Sequence, residues 1–129
     1  SLFVNTFVGA ANCLPGVVVG PAGDDATVKL DAGAEVVAQV PGGPLAAGTR
    51  GTVCIRPKHL NLCDDPAGFA AVVEMGLPLG ATAVHEVRAA DGQPIKVAEP
   101  RRSGVALRAS GTPVRVLPAA AGLASAYPV

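Results

Sequence analysis

Three cysteines, two histidines and a short run of arginines have the widest chemical range in this 129-residue chain. Cys54, His59, Cys63 and, further on, His85 are residue types that hold zinc. Their spacing lacks the close ligand pairs of a zinc knuckle, so no metal is expected. Cys54, between Val53 and Ile55, also reads as a small strand residue that carries a thiol. Asp24-Asp25 and Asp64-Asp65 are paired carboxylates, but both sit in Gly/Pro clusters where Asp commonly hydrogen-bonds its own backbone. No third group stands in reach to tune them for acid–base work. Neither histidine adjoins the Ser or Cys that a triad needs. The chain has no Gly-x4-Gly-Lys-Ser/Thr phosphate loop, no Gly-x-Ser-x-Gly elbow and no His-Glu-x-x-His pair. Catalytic residues are therefore not expected. Arg101-Arg102-Ser103-Gly104 could cradle a small anion with guanidinium forks and loop amides, and it reads equally as a solvated loop.

Those residues must be positioned by a mostly β scaffold. Thr27–Asp31, Thr52–Arg56, Pro94–Val97 and Thr112–Val116 each alternate polar and apolar residues, the mark of a half-buried strand. Turn signals separate them: Pro21–Asp25, Ala32-Gly33, Pro41–Pro44, Asp64–Gly68, Asp91-Gly92 and Ser110-Gly111. A turn about every ten residues predicts a small barrel or sandwich. Helix is expected only over residues 2–8 and as one turn within 57–62. The Ala-rich 119–126 is too short and uncapped to stand as a helix.

The order of elements also occurs twice. Lys29–Asp31, a tight turn and Glu35–Val40 lead to Gly51–Arg56; Val87–Ala89, Asp91-Gly92 and Ile95–Ala98 lead to Gly104–Arg108. Each half alone is marginal in core size, so the halves are expected to pack together.

Composition removes several classes of function. Ten Lys+Arg balance ten Asp+Glu, and aromatic residues make up 3% of the chain. Nucleic-acid binders need a basic footprint and stacking rings, so nucleic acid is not an expected partner. Half of the residues are hydrophobic, which excludes a disordered tail. Gly, Pro, Asp or Lys interrupts every apolar run short of the roughly 18 residues of a membrane helix. An odd cysteine count beside a start that does not resemble a signal peptide favours reduced thiols over a disulfide framework.

Two segments are more specific. Phe7-Val8-Gly9-Ala10-Ala11-Asn12-Cys13-Leu14-Pro15-Gly16 and Val53-Cys54-Ile55-Arg56-Pro57-Lys58-His59-Leu60-Asn61-Leu62, with Leu79-Gly80 after Val72-Val73-Glu74, occur in this order. Together they resemble the C-terminal region of ATP-binding subunits from bacterial ABC importers of the spermidine/putrescine, iron(III) and maltose type. In that family a helix leaves the ATPase domain through a Phe-(Ile/Val)-Gly-x-x-Asn stretch and enters a TOBE (transport-associated OB) domain. Lys58 stands where that family usually has Glu, and Met75-Gly76-Leu77-Pro78 replaces its aromatic or β-branched approach to Leu-Gly.

The resemblance implies an all-β fold of two OB-like lobes built from an imperfect repeat. Residues 1–9 would be a remnant of the linker helix from the ATPase domain, and 10–129 the TOBE-like domain. Its lobes would span about 10–66 and 67–118, followed by a C-terminal tail. It marks Gly9, Asn12, Arg56, Pro57, His59, Leu79 and Gly80 as structural or interface residues. From spacing alone, Arg56 is either a strand-end fork that can hold loop carbonyls or a carboxylate, or an ordinary surface charge; the resemblance favours a structural or interface role. The implied function is an accessory, regulatory and dimer-supporting domain, with ATP and Mg confined to the ATPase domain. The implied partners are that domain, a second copy of the subunit and, through it, the permease subunits. Its place would be the cytoplasmic face of the bacterial inner membrane, peripheral and without insertion. The alternative is a small-ligand or oxyanion-sensing OB-like domain of a transporter ATPase, as in related molybdate-binding modules.

Overall fold

The structure, a computed structural model, describes residues 11–101 and 107–129. Ten strands follow one another: β1 (Asn12–Ala22), β2 (Asp25–Leu30), β3 (Glu35–Ala38), β4 (Arg50–Ile55), β5 (Leu60–Cys63), β6 (Phe69–Leu79), β7 (Thr82–Ala89), β8 (Pro94–Pro100), β9 (Pro113–Pro118) and β10 (Ser125–Pro128). They make two five-stranded sheets, ordered β10-β4-β1-β2-β3 and β5-β9-β6-β7-β8. The fold is all-β with two OB-like lobes, and no α-helix occurs among the described residues. No helix there is long and apolar enough to cross a membrane. The helix expected over residues 2–8 lies outside the described residues.

Alternation builds each strand. In β2, Ala26, Val28 and Leu30 are buried while Thr27 and Lys29 face outward; β3 repeats the pattern with Val36 and Ala38 inward. Gly33 closes the turn between them at φ 125, a conformation that L side chains rarely adopt. β1 and β6 are the long strands, and each carries one register shift, at Val18/Gly20 and at Val73/Met75. Such a bulge bends a strand and increases its twist, which lets one strand curl around a small barrel. Gly16 permits the tight approach of β2, since a Cβ there would meet the Lys29 carbonyl oxygen at 2.7 Å. The first barrel closes where Gln39, after β3, bridges to Ser125 of β10. In the second, β8 packs against both β5 and the Pro57–His59 3-10 turn.

Corresponding strands have the same order in both sheets, with one reciprocal exchange. β5 follows β4 in the chain but pairs with β9, and β10 follows β9 but pairs with β4. The chain thus crosses between sheets at 56–59, ahead of the boundary expected near residue 66. What the sequence suggests as a C-terminal tail returns to the first sheet as β10. The helical turn expected within 57–62 is a 3-10 turn at Pro57–His59, after which β5 begins. The repeat partner of β4 is β9 rather than Gly104–Arg108. Residues 104–106 lie outside the described residues, and Leu107–Arg108 is not strand. Gly51-Thr52 lie near the start of β4 and Gly111-Thr112 immediately precede β9, and a proline follows β4 by two residues and ends β9.

The exchange joins the lobes through one core. Leu14, Leu30, Val36, Val53 and Ile55 surround the same apolar space as Leu60, Phe69, Pro118 and Ala124. Buried residues of both sheets form a single hydrophobic cluster. Neither lobe encloses its core alone.

Candidate functional site

The two crossings meet at the junction of the lobes. Pro57 is buried as the first residue of the 3-10 turn, where its missing N–H costs nothing. The His59 amide donates to the Arg56 carbonyl at 2.9 Å, and the His59 carbonyl accepts from Ala119 at 2.8 Å. One crossing is thereby tied to the other. His59 Nδ1 is buried without a hydrogen bond. Arg56 caps the turn through its backbone, while its side chain is exposed and holds no acceptor among the described residues. Among the described residues no loop carbonyl is clamped by Arg56, which follows the end of β4 and turns to solvent.

Asn12 spans the lobes. Its Nδ2 donates to the Lys96 carbonyl at 2.9 Å and to the Ile55 carbonyl at 3.3 Å. Its Oδ1 accepts from the Lys96 amide at 2.9 Å. The carboxamide thus mimics a peptide group, extending the ladder of β8 to the start of β1. Gln39 fixes the second crossing similarly: its amide donates to the Ala124 carbonyl, its carbonyl accepts from Ala126, and Nε2 reaches the Gly122 carbonyl at 3.0 Å. Sequence reasoning passes over Gln39, which looks like an ordinary polar residue after a strand. Leu79 and Gly80 lie away from this junction, at the β6–β7 hairpin, where Leu79 is exposed and Gly80 has φ 63. Gly9 lies outside the described residues.

A second polar cluster, half-buried around one buried histidine, lies in the second lobe. His85 on β7 is 2% exposed, the one buried polar side chain among the described residues. Its Nε2 accepts from the Arg108 amide at 3.1 Å. Glu99 on β8 receives two Arg108 donors, at 3.0 and 3.1 Å. His85 Nδ1 lies 3.3 Å from Glu99 Oε1 but has no aligned hydrogen bond. Burial holds the His85 pKa below its ordinary 6.5, against the pull of the Glu99 carboxylate, and the Arg108 charge adds to the lowering. A lowered folded pKa means that the unfolded chain binds the proton first. Stability from this residue is therefore complete above 6.5 and declines as pH falls below it. The expected slope is no steeper than about 1.4 kcal/mol per pH unit. Urea midpoints across this range should show that decline in the native chain. In His85→Gln, which keeps an acceptor for the Arg108 amide, this component should be absent.

The anion candidates are divided. Arg101 is exposed after β8, its amide held by the Ala81 carbonyl at 2.6 Å. Arg102 and Ser103 lie outside the described residues. A shallow groove on the outer face of the second sheet is flanked by Arg88 and Arg115, with Val72 and Pro113 between them. Glu74 occupies Arg88 through a 2.8 Å ion pair. Arg115 gives one donor to the Gly68 carbonyl at 3.3 Å, out of the five a guanidinium carries. Its polar place in an alternating strand is legible in sequence; the groove is not. Cys54 and Cys63 belong to opposite sheets, and no group of three or more His, Cys, Asp and Glu among the described residues is arranged to hold a metal.

Two OB-like barrels that exchange one strand each and share a core define a tandem OB-like domain. The chain belongs to the TOBE domain family, whose profile matches residues 53–124, from β4 through the second crossing. Among solved structures, it is similar to the cytoplasmic molybdate-binding protein ModG with molybdate bound. That likeness has a TM-score of 0.70 at 17% identity and covers 92% of this chain and 96% of the other, so it shows a common fold. No curated protein matches the chain by sequence.

Proposed function

We propose that this TOBE domain binds a small tetrahedral oxyanion of the molybdate class. The observation that supports the reading is the end-to-end likeness to a molybdate-binding protein, which extends over both lobes rather than one barrel. The charge-assisted donors would come from the exposed Arg101 and its sequence neighbours Arg102 and Ser103, or from Arg115 in the outer groove. We further propose that the domain is the accessory, dimer-supporting part of a bacterial ABC importer's ATP-binding subunit, at the cytoplasmic face of the membrane. What favours this is Ile55-Arg56-Pro57-Lys58-His59, which stands at the crossing between lobes and leaves the Arg56 side chain exposed and without a bond among the described residues. An exposed, uncommitted guanidinium beside a rigid proline turn suits contact with the ATPase domain or a second copy. ATP and Mg would act only in that ATPase domain, and the transported polyamine, iron or related solute would not bind here.

Calorimetric titration of the full chain with molybdate, with sulfate and MgATP as controls, tests the oxyanion reading. Saturable molybdate binding is expected, weakened at least tenfold in either Arg115→Ala or the double variant Arg101→Ala/Arg102→Ala. Sedimentation equilibrium in the same buffers should give a reversible dimer. No heat with molybdate would overturn the oxyanion reading, and a strict monomer would overturn the dimer-supporting one.

A further inference from the structure

Cys13 and Cys54 stand directly opposite each other on β1 and β4, their sulfurs 3.9 Å apart. They occupy the outer face of the first barrel, Cys13 exposed and Cys54 half-buried. The kind of pairing matters. The Pro15 carbonyl accepts from the amide of Asp31, directly after β2, at 2.9 Å, so the peptide group of Pro15 turns toward β2 rather than β4. Backbone direction repeats every second residue along a strand, which turns those of Cys13 the same way. Cys13 and Cys54 are therefore a non-hydrogen-bonded pair, the closer of the two antiparallel kinds, with Cα atoms about 4.5 Å apart. That separation lies within the range a disulfide spans. Cys63 provides an internal contrast: it sits on β5, in the other sheet, with its sulfur 3.7 Å from the Arg115 carbonyl.

We propose that Cys13 and Cys54 form a two-thiol site that undergoes exchange with low-molecular-weight disulfides of the glutathione class and closes to an intramolecular disulfide. The Cys13 thiolate attacks one sulfur of the small disulfide, forming a mixed disulfide and releasing one small thiolate. Cys54 then loses its proton and attacks the Cys13 sulfur. The mixed disulfide breaks, the Cys13–Cys54 bond forms, and the second small thiolate leaves. Two protein thiols are oxidised, one small disulfide is reduced to two thiols, and the two cysteine protons end on them. Burial and the adjoining Cys13 raise the Cys54 pKa, which suits Cys54 to the second step and the exposed Cys13 to the first. The closed form would staple β1 to β4 beside Asn12, at the junction of the lobes.

Incubation of the full chain with oxidised glutathione, alkylation, and mass spectrometry of whole protein and peptides tests this. The expected product has lost two hydrogens, with Cys13 and Cys54 linked and Cys63 either alkylated or glutathionylated. Cys54→Ser should accumulate the mixed disulfide at Cys13, because the resolving thiol is gone. Cys13→Ser should leave Cys54 mostly alkylatable. A native chain whose Cys13 retains glutathione, whose two thiols stay alkylatable, or whose main link includes Cys63, would overturn the proposal.

Discussion

Phe69→Ala is expected to lower the free energy of unfolding by about 3–5 kcal/mol, the range for removing a fully buried aromatic side chain. Phe69 is 2% exposed and the bulkiest of the fully buried side chains among the described residues. It begins β6, yet the apolar space it borders is lined mainly by the other lobe: Leu14, Leu30, Val36, Val53 and Ile55. Its Cβ also lies 3.9 Å from where a Cβ on Gly33 would be, which places it beside the β2–β3 turn. Small valine and alanine side chains dominate the surrounding core and cannot swing in to fill the gap. A loss of this size is a large share of the roughly 5–15 kcal/mol of a typical domain. Urea unfolding followed by circular dichroism would measure it. Because the core is shared, one cooperative transition should move as a whole. Two transitions, with only one displaced, would mean that the lobes are separately stable.

That shared core is the part of the fold least legible in the sequence. Strands with clean alternation, β2, β4, β8 and β9, are readable because their periodicity is local. β5 and β10 are four residues each, too short for periodicity to speak, and their pairing is decided by partners far along the chain. The repeat itself is legible, but both Gly104–Arg108 and Gly111–Pro118 fit a glycine followed by an apolar run. What selects the latter is register: β9 pairs with both β5 and β6. The same limit applies to the side chains. His85 reads as isolated because Glu99 and Arg108 come to it from other segments. Arg56 is placed at a strand end by Pro57, as expected, but what it faces depends on tertiary packing. The Cys13–Cys54 contact is a consequence of register that neither residue's neighbours announce. Asn12 could be singled out by a motif, while its use rests on a partner 84 residues away.

Asn12→Ala is expected to cost about 2–3 kcal/mol, since it strips a donor and an acceptor from half-buried backbone groups at once. The Lys96 amide would lose its Oδ1 acceptor, and the Lys96 and Ile55 carbonyls would lose Nδ2. Water can partly replace these bonds at a half-buried site, which keeps the loss below that for Phe69. Asn12→Asp separates the two functions of the side chain. Its carboxylate still accepts from the Lys96 amide but donates nothing, and it sets a negative charge against two carbonyl oxygens. Asn12→Asp should therefore be about as destabilising as the alanine variant near neutral pH. It should recover as pH falls toward the carboxylate range, where the protonated acid regains a donor. Asn12→Ala should show no such recovery. Denaturant midpoints for both variants, taken across that range, measure the difference. Equal pH profiles would mean that Asn12 contributes only by filling space between β1 and β8.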